Sequence, residues 1–224
     1  MTLDTGSYVV CGVVTVAAVA AYMVWQQGAS KNRKGETLLM RDVLLLLLVT
    51  ATFAISLTLL KGAVGAGSPF FGGIVFFVAL GWTVFAQPVM GFRVPGAIRE
   101  IRPWELRGVL YRALGVPGFG VMLRASPLKL LNPSVHLGKF PGEPATVCRN
   151  LEISEANHLW GGLLTLPYLV YASLHGWWGV FIVSLVLHVV ANLYPICHLR
   201  WARGRLARYA GRKALGKTKT TSHR

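Results

Sequence analysis

Apolar residues along this chain come in long unbroken runs rather than in the alternation of a strand or the stripe of a surface helix. A bilayer core about 30 Å thick takes about 20 apolar residues in helical form. Five runs approach that length, near Tyr8–Trp25, Val43–Leu60, Phe70–Met90, Asn157–Leu174 and Trp177–Cys197. The last two are separated only by the stretch HGWW, which leaves room for an antiparallel helical hairpin and little else. The pattern predicts an all-α integral membrane protein with about five transmembrane helices. No Lys or Arg precedes the first run and Asp4 does. A secretory signal begins with positive charge, so this run is expected to stay in place as a span.

The polar stretch between the third and fourth runs carries its own signals. In RPWELRGVLYRALGVPG, Pro103 suits a first helical position and Glu105 the positive end of the helix dipole. Gly115 followed by Pro117 ends the segment. Leu106, Val109, Leu110 and Leu114 fall toward one side, with Arg107 and Arg112 elsewhere, the pattern of an interfacial helix lying in the membrane plane. The Pro-, Asn- and Gly-rich run after it, SPLKLLNPSVHLGKFPGEP, reads as irregular structure on the membrane face. Four segments result: an N-terminal three-helix membrane region (1–90), a cytoplasmic or interfacial insert (91–156), a transmembrane hairpin (157–199) and a basic cytoplasmic tail (200–224).

Composition sharpens this. The chain is 54% hydrophobic and 14% charged, against about 25% charged in soluble domains. Its net charge is nevertheless +15. Every Lys and Arg except Lys61 falls in the segments that five crossings would place on one face. The positive-inside rule then puts the N-terminus outside and the C-terminus in the cytoplasm of a cell-membrane protein. The tail cations, among them Arg203, Arg205, Arg208 and Arg212, are explained by anionic lipid headgroups. Because the cations flank hydrophobic spans, no nucleic acid is expected as partner. Cys11, Cys148 and Cys197 are too scattered for a disulfide framework or a CxxC metal pair.

The chain has only eight acidic residues, yet LEISEANHLW sets Glu152, Glu155 and His158 at the mouth of the fourth run. Glu155 and His158 are three apart and can touch on one side of a helix, with Glu152 one turn back. The fifth run ends in LHVVANLYPICHLRWARGRL, with His188 and Asn192 four apart on one side. Asn192 precedes His198 by about 9 Å of helical rise. A tight hairpin would let Glu155, His158, Asn192, His198 and Arg200 converge. A histidine held by a carboxylate can take a proton from a hydroxyl nucleophile, and a nearby amide and guanidinium can hold an oxyanion or phosphate. This points to His158 as general base, oriented by Glu155. Simpler roles exist for the same groups: the two carboxylates could pair with the tail arginines, His188 could bond a neighbouring carbonyl, and Asn192 could join two helices.

The C-terminal half resembles the glycosyl-4,4'-diaponeurosporenoate acyltransferase family, small bacterial integral membrane enzymes that acylate a sugar in carotenoid biosynthesis. Three blocks carry the likeness: WELRGVLY (Trp104–Tyr111), EANHLW with Leu166 and Pro167 downstream, and ANLYPICHLRWARGRL with Ala191, Asn192, Arg200, Arg203, Arg205 and Leu206. The pattern is departed from at Asn150, where the family has an acid, and at Leu159, Leu199 and Gly204, which leaves the acceptor open to change while the scaffold persists. The resemblance implies an acyltransferase that draws on acyl-CoA or acyl carrier protein, uses no bound cofactor or metal, and moves the acyl group to a hydroxyl of a lipid-linked or glycosylated acceptor at the cytoplasmic leaflet. The implied substrate-binding set is Asn192, Arg200, Arg203, Arg205, His198, Glu152, Trp104 and Glu105. Two other readings stand beside it. One is a metal-dependent lipid-modifying enzyme built on Glu155, His158, His188 and His198. The other is a non-enzymatic membrane scaffold or lipid-binding subunit in which Glu and His only lock helices.

Overall fold

The computed structural model describes residues 40–126 and 144–221, with side chains described over 42–126 and 145–209. The first expected span and most of the Pro-rich run lie outside these residues. Among the described residues every element is helical: α1 (Met40–Val64), α2 (Pro69–Met90), α3 (Gly96–Arg99), α4 (Pro103–Arg107), α5 (Val109–Ala113), α6 (Val116–Ala125), α7 (Pro144–Leu174), α8 (Trp178–His188), a π turn (Val189–Leu193) and α9 (Tyr194–Thr221).

Three stretches among the described residues are long and apolar enough to cross a membrane: Asp42–Val64, Pro69–Met90 and Trp178–Tyr209. They contain the second and third expected runs and all of the fifth but Trp177. The helix on the fourth run is not among them. It begins at Pro144, well before the apolar stretch, and that stretch is itself diluted by Asn157, His158, Gly161, Gly162 and Pro167. The single helix expected over 103–114 is also divided. Gly108 takes φ +67°, a left-handed conformation that glycine adopts without steric cost, and α4 stops there before α5 begins. Gly115 ends α5 as expected, but Pro117 then stands in the first turn of a further helix, α6.

The chain forms two compact units. One comprises the described residues up to 92 and from 157 to 192, the other the described residues from 93 to 156 and from 193 onward. In the first, α2 packs against α1 and α8. α1 is apolar all round, and its Leu44, Leu47, Leu48 and Ile55 are each more than half exposed, as lipid-facing side chains should be. The Trp82 indole N–H donates to Thr50 on α1 at 2.9 Å. α7 joins this group through the Thr83 hydroxyl, 3.1 Å from the Asn157 carbonyl, and the Tyr168 hydroxyl, which donates to the Ala66 carbonyl at 2.7 Å.

In the second unit α9 packs on α4, α5 and α6. The first half of α7 contributes Leu151, wholly buried with Leu199 and Ala202 and flanked by Val147. α9 continues through the cationic segment to Thr221, so the expected boundary at 199/200 falls inside a helix.

Candidate functional site

The polar residues singled out by the sequence fall into two sets of contacts. The second unit holds a buried node of charge around Arg200. Pro103 starts α4, which places Glu105 in its first turn, where the Arg102 main-chain N–H donates to Oε2 at 2.8 Å. The Tyr111 hydroxyl, one turn into α5, donates to Oε1 at 2.5 Å. Arg200 then closes on both Glu105 oxygens, Nε to Oε1 at 2.6 Å and Nη2 to Oε2 at 2.8 Å. Its Nη1 donates to Glu155 Oε1 at 2.6 Å and to the Ile98 carbonyl at 2.5 Å, and Nη2 also donates to the Glu100 carbonyl at 3.0 Å. A guanidinium has five N–H donors, and all five are placed. Arg203 donates to the other Glu155 oxygen at 2.5 Å and to the Arg99 carbonyl at 2.9 Å.

Glu105 and Glu155 are 3% and 2% exposed. Burying an isolated carboxylate costs heavily unless it is paired and hydrogen-bonded; here two carboxylates meet two guanidiniums and the formal charge cancels. Burial pushes the Glu105 carboxyl up, but Arg200, Tyr111 and the Arg102 N–H together outweigh it and hold the pKa at about 2. Burial and the adjoining Glu105 carboxylate raise the Tyr111 phenol above its usual range, so Tyr111 stays a neutral donor.

The sequence expected Glu155 to orient the His158 imidazole. In the structure both Glu155 oxygens are held by arginines, the simpler role considered for it, while Glu152 pairs with Arg99 rather than with a tail arginine. His158 lies against Asn192, its Nδ1 3.4 Å from the nearer end of the carboxamide. Trp104 is half exposed and tilts against Tyr111. His198 lies on Gly120, where any Cβ would collide with the ring, beside Phe119 and Trp201. Arg205 sits over the Trp201 ring, 5.0 Å from its centre.

The second set belongs to the first unit and lies among its apolar helices. The π turn carries Asn192, 4% exposed, against the N-terminal part of the apolar run in α7. One end of its carboxamide faces His158 Nδ1 and the other His188 Nδ1, both at 3.4 Å. On the far side of the His188 ring, Nε2 is 2.7 Å from the Thr165 hydroxyl. Gly162 makes room: a Cβ there would stand 3.0 Å from the end of the Asn192 carboxamide. The ring edge of Phe76 closes on His188, with centroids 5.2 Å apart. Sequence reasoning treated this stretch as regular α-helix and missed Thr165. Its only signal was a hydroxyl seven residues beyond His158, on the same side of a helix. Among the described residues no three His, Cys, Asp or Glu side chains gather to hold one ion.

The charge node explains why three separated sequence blocks go together. Glu105 and Tyr111 come from the first, Glu155 from the second, and Arg200 and Arg203 from the third. A family model for glycosyl-4,4'-diaponeurosporenoate acyltransferase matches residues 97–212, just over half of the chain. The chain belongs to that family. No curated protein and no solved structure matches it. The matched span of this acyltransferase family contains every residue of the node and the imidazole–amide set of His158, His188 and Asn192.

Proposed function

We propose that this member of the acyltransferase family moves a fatty acyl group from a thioester donor, acyl-CoA or acyl carrier protein, onto a hydroxyl of a lipid-linked or glycosylated acceptor at the cytoplasmic leaflet. The observation that carries the reading is the His158–Asn192–His188–Thr165 chain of polar groups set within the apolar runs of α7 and α8 and closed by Phe76 of α2. Such groups are costly in lipid and by default mark chemistry. In this reading His158, its Nδ1 turned to Asn192, takes the proton of the acceptor hydroxyl. Glu155 acts differently from the sequence expectation, as a positioning residue that fixes α7 to α9 through Arg200 and Arg203.

The cytoplasmic assignment rests on the cation pattern, in which only Lys61 falls on the opposite side. Exposed Trp104, Val109, Leu110, Leu114, Val121 and Met122 lie on or at the ends of the same short helices as exposed Arg102, Arg107, Arg112 and Arg124. That mixture suits an anionic headgroup layer, where each cation contributes about 1 kcal/mol, and Arg205 on Trp201 extends it. Lipid mass spectrometry of membranes from host cells with and without the protein tests the proposal. An acylated species that appears with the wild type and is absent with His158→Ala supports it; identical lipid profiles for wild type and empty host overturn it.

A further inference from the structure

Asn192 lies between two imidazoles, and the second has a hydroxyl at its far end. Thr165 Oγ1 has one hydrogen and two acceptors within reach, the Gly162 carbonyl at 2.8 Å and His188 Nε2 at 2.7 Å. Which one receives it depends on the His188 tautomer, and Asn192 sets that. With its amide nitrogen turned to the carbonyls of Ala191 and His158, at 3.2 and 3.3 Å, the carboxamide donates both hydrogens. Its oxygen then faces His188 Nδ1, which must carry a proton to meet it. A neutral imidazole protonated at Nδ1 has its lone pair at Nε2, and that lone pair points at Thr165. A hydroxyl within hydrogen-bond reach of a base whose other nitrogen is held by a third group is the geometry of an activated nucleophile, and an amide can be that third group.

We propose that Thr165, His188 and Asn192 are such a triad, and that the acyl group rests on Thr165 as an ester between donor and acceptor; this rests on the acyl-transfer reading above. In the first step Thr165 Oγ1 attacks the thioester carbonyl, its proton passes to His188 Nε2, the C–S bond breaks and sulfur leaves as thiolate. In the second step the acceptor oxygen attacks the Thr165 ester, and its proton travels through water to His158, about 10 Å of helical rise back along α7. The bond from carbonyl carbon to Oγ1 breaks, and His188 returns its proton to Oγ1. The proton on His158 passes through water to the thiolate, so thioester and alcohol have become ester and thiol. Two hydroxyls must each exchange a proton, which accounts for two imidazoles standing on either side of one amide. Thr165 is 4% exposed, so the ester is shielded from water until the acceptor arrives.

The test uses the full chain in cells fed alkyne-tagged palmitate, followed by purification, digestion and mass spectrometry. The expected result is an ester on the peptide containing Thr165, released by alkaline but not neutral hydroxylamine, which separates it from thioesters on Cys148 or Cys197. The label should fall at least tenfold in Thr165→Val and in His188→Gln, and persist at the same position in Thr165→Ser. Asn192→Ala, a positioning change, should lower kcat with KM unchanged. A Thr165→Val protein that inserts normally and still makes acylated lipid overturns the triad while leaving the acyltransferase reading intact; the hydroxyl is then a helix brace. Should Thr165→Val fail to insert, Thr165→Ser and His188→Gln decide: acylated lipid from both with no label at position 165 overturns the proposal. A wild type that makes neither label nor acylated lipid removes both readings.

Discussion

Replacing Arg200 by alanine removes a guanidinium whose five donors hold two side chains and two main-chain carbonyls. Glu105 keeps only the Tyr111 hydroxyl and the Arg102 N–H, and Glu155 keeps only Arg203. Removing one partner of a buried pair costs about 3–5 kcal/mol, because the charge left behind has no compensation. For a chain of this size each kcal/mol moves the midpoint by about 2–4 °C, so Arg200→Ala should melt roughly 6–20 °C below wild type. Arg200→Lys should fall between the two, since an ammonium has three donors and cannot form the paired contact to Glu105. Melting of the detergent-solubilised full chain, followed by tryptophan fluorescence, measures this. The pH dependence adds a second, independent sign. In the wild type Glu105 is held at about 2, below its unfolded value of about 4.3. Its stabilisation is therefore complete above about pH 4.3 and is lost as pH falls toward 2. Without Arg200 only burial and two neutral donors remain, and Arg200→Ala should lose its deficit, not widen it, on going from pH 7 to pH 5. An Arg200→Ala protein that melts within about 2 °C of wild type at pH 7 would mean that the node does not brace the fold.

Other outcomes are open to the same kind of check. Gly120→Ala should destabilise by about 1–3 kcal/mol, since the new methyl collides with the His198 ring; an unchanged midpoint would show that the ring moves freely. Gly108→Ala forces a side chain into a left-handed backbone at φ +67° beside the Trp201 indole, and should cost about 1–2 kcal/mol. Above about pH 10 the unfolded chain ionises its tyrosines while Tyr111, raised by burial and Glu105, stays protonated; stability should fall as pH rises past that point, and less steeply in Tyr111→Phe. Reporter fusions at residues 65 and 125 should report opposite sides of the membrane; the same side for both would sink the proposed topology.

Length and hydropathy were the legible part of the sequence. Runs of Leu, Val and Phe placed α1, α2 and the start of α8 within a few residues, because a bilayer demands continuous apolar helix whatever the packing. The start of α7 was not visible in that way. Reading a helix from the onset of its apolar run missed the turns from Pro144 to Ala156, which are polar by composition. Val147, Leu151 and Ser154 follow helical spacing there, and Leu151 is fully buried. In the site, the residue types were found and their pairing was not. Glu155 and His158 are neighbours in helical spacing, but a carboxylate at the edge of a cationic helix goes to the strongest donors within reach, and Arg200 and Arg203 are stronger than an imidazole. Glu105 was assigned to substrate; its burial and four accepted hydrogen bonds could not be known before α4 was placed against α9. Nothing in the sequence marked the π turn, which one extra residue in a helical turn creates and which carries Asn192 between two histidines.

The proposed reaction is acyl transfer to a lipid hydroxyl with His158 as base. Its most direct measurement is made on the purified full chain in proteoliposomes containing lipid extract from the native membrane, supplied with palmitoyl-CoA and read by mass spectrometry. Thiol release should be matched by a lipid heavier by one acyl ester, with the rate falling about 10²- to 10⁴-fold in His158→Ala. Thiol release without an acylated lipid, or a His158→Ala protein as active as wild type, would contradict it.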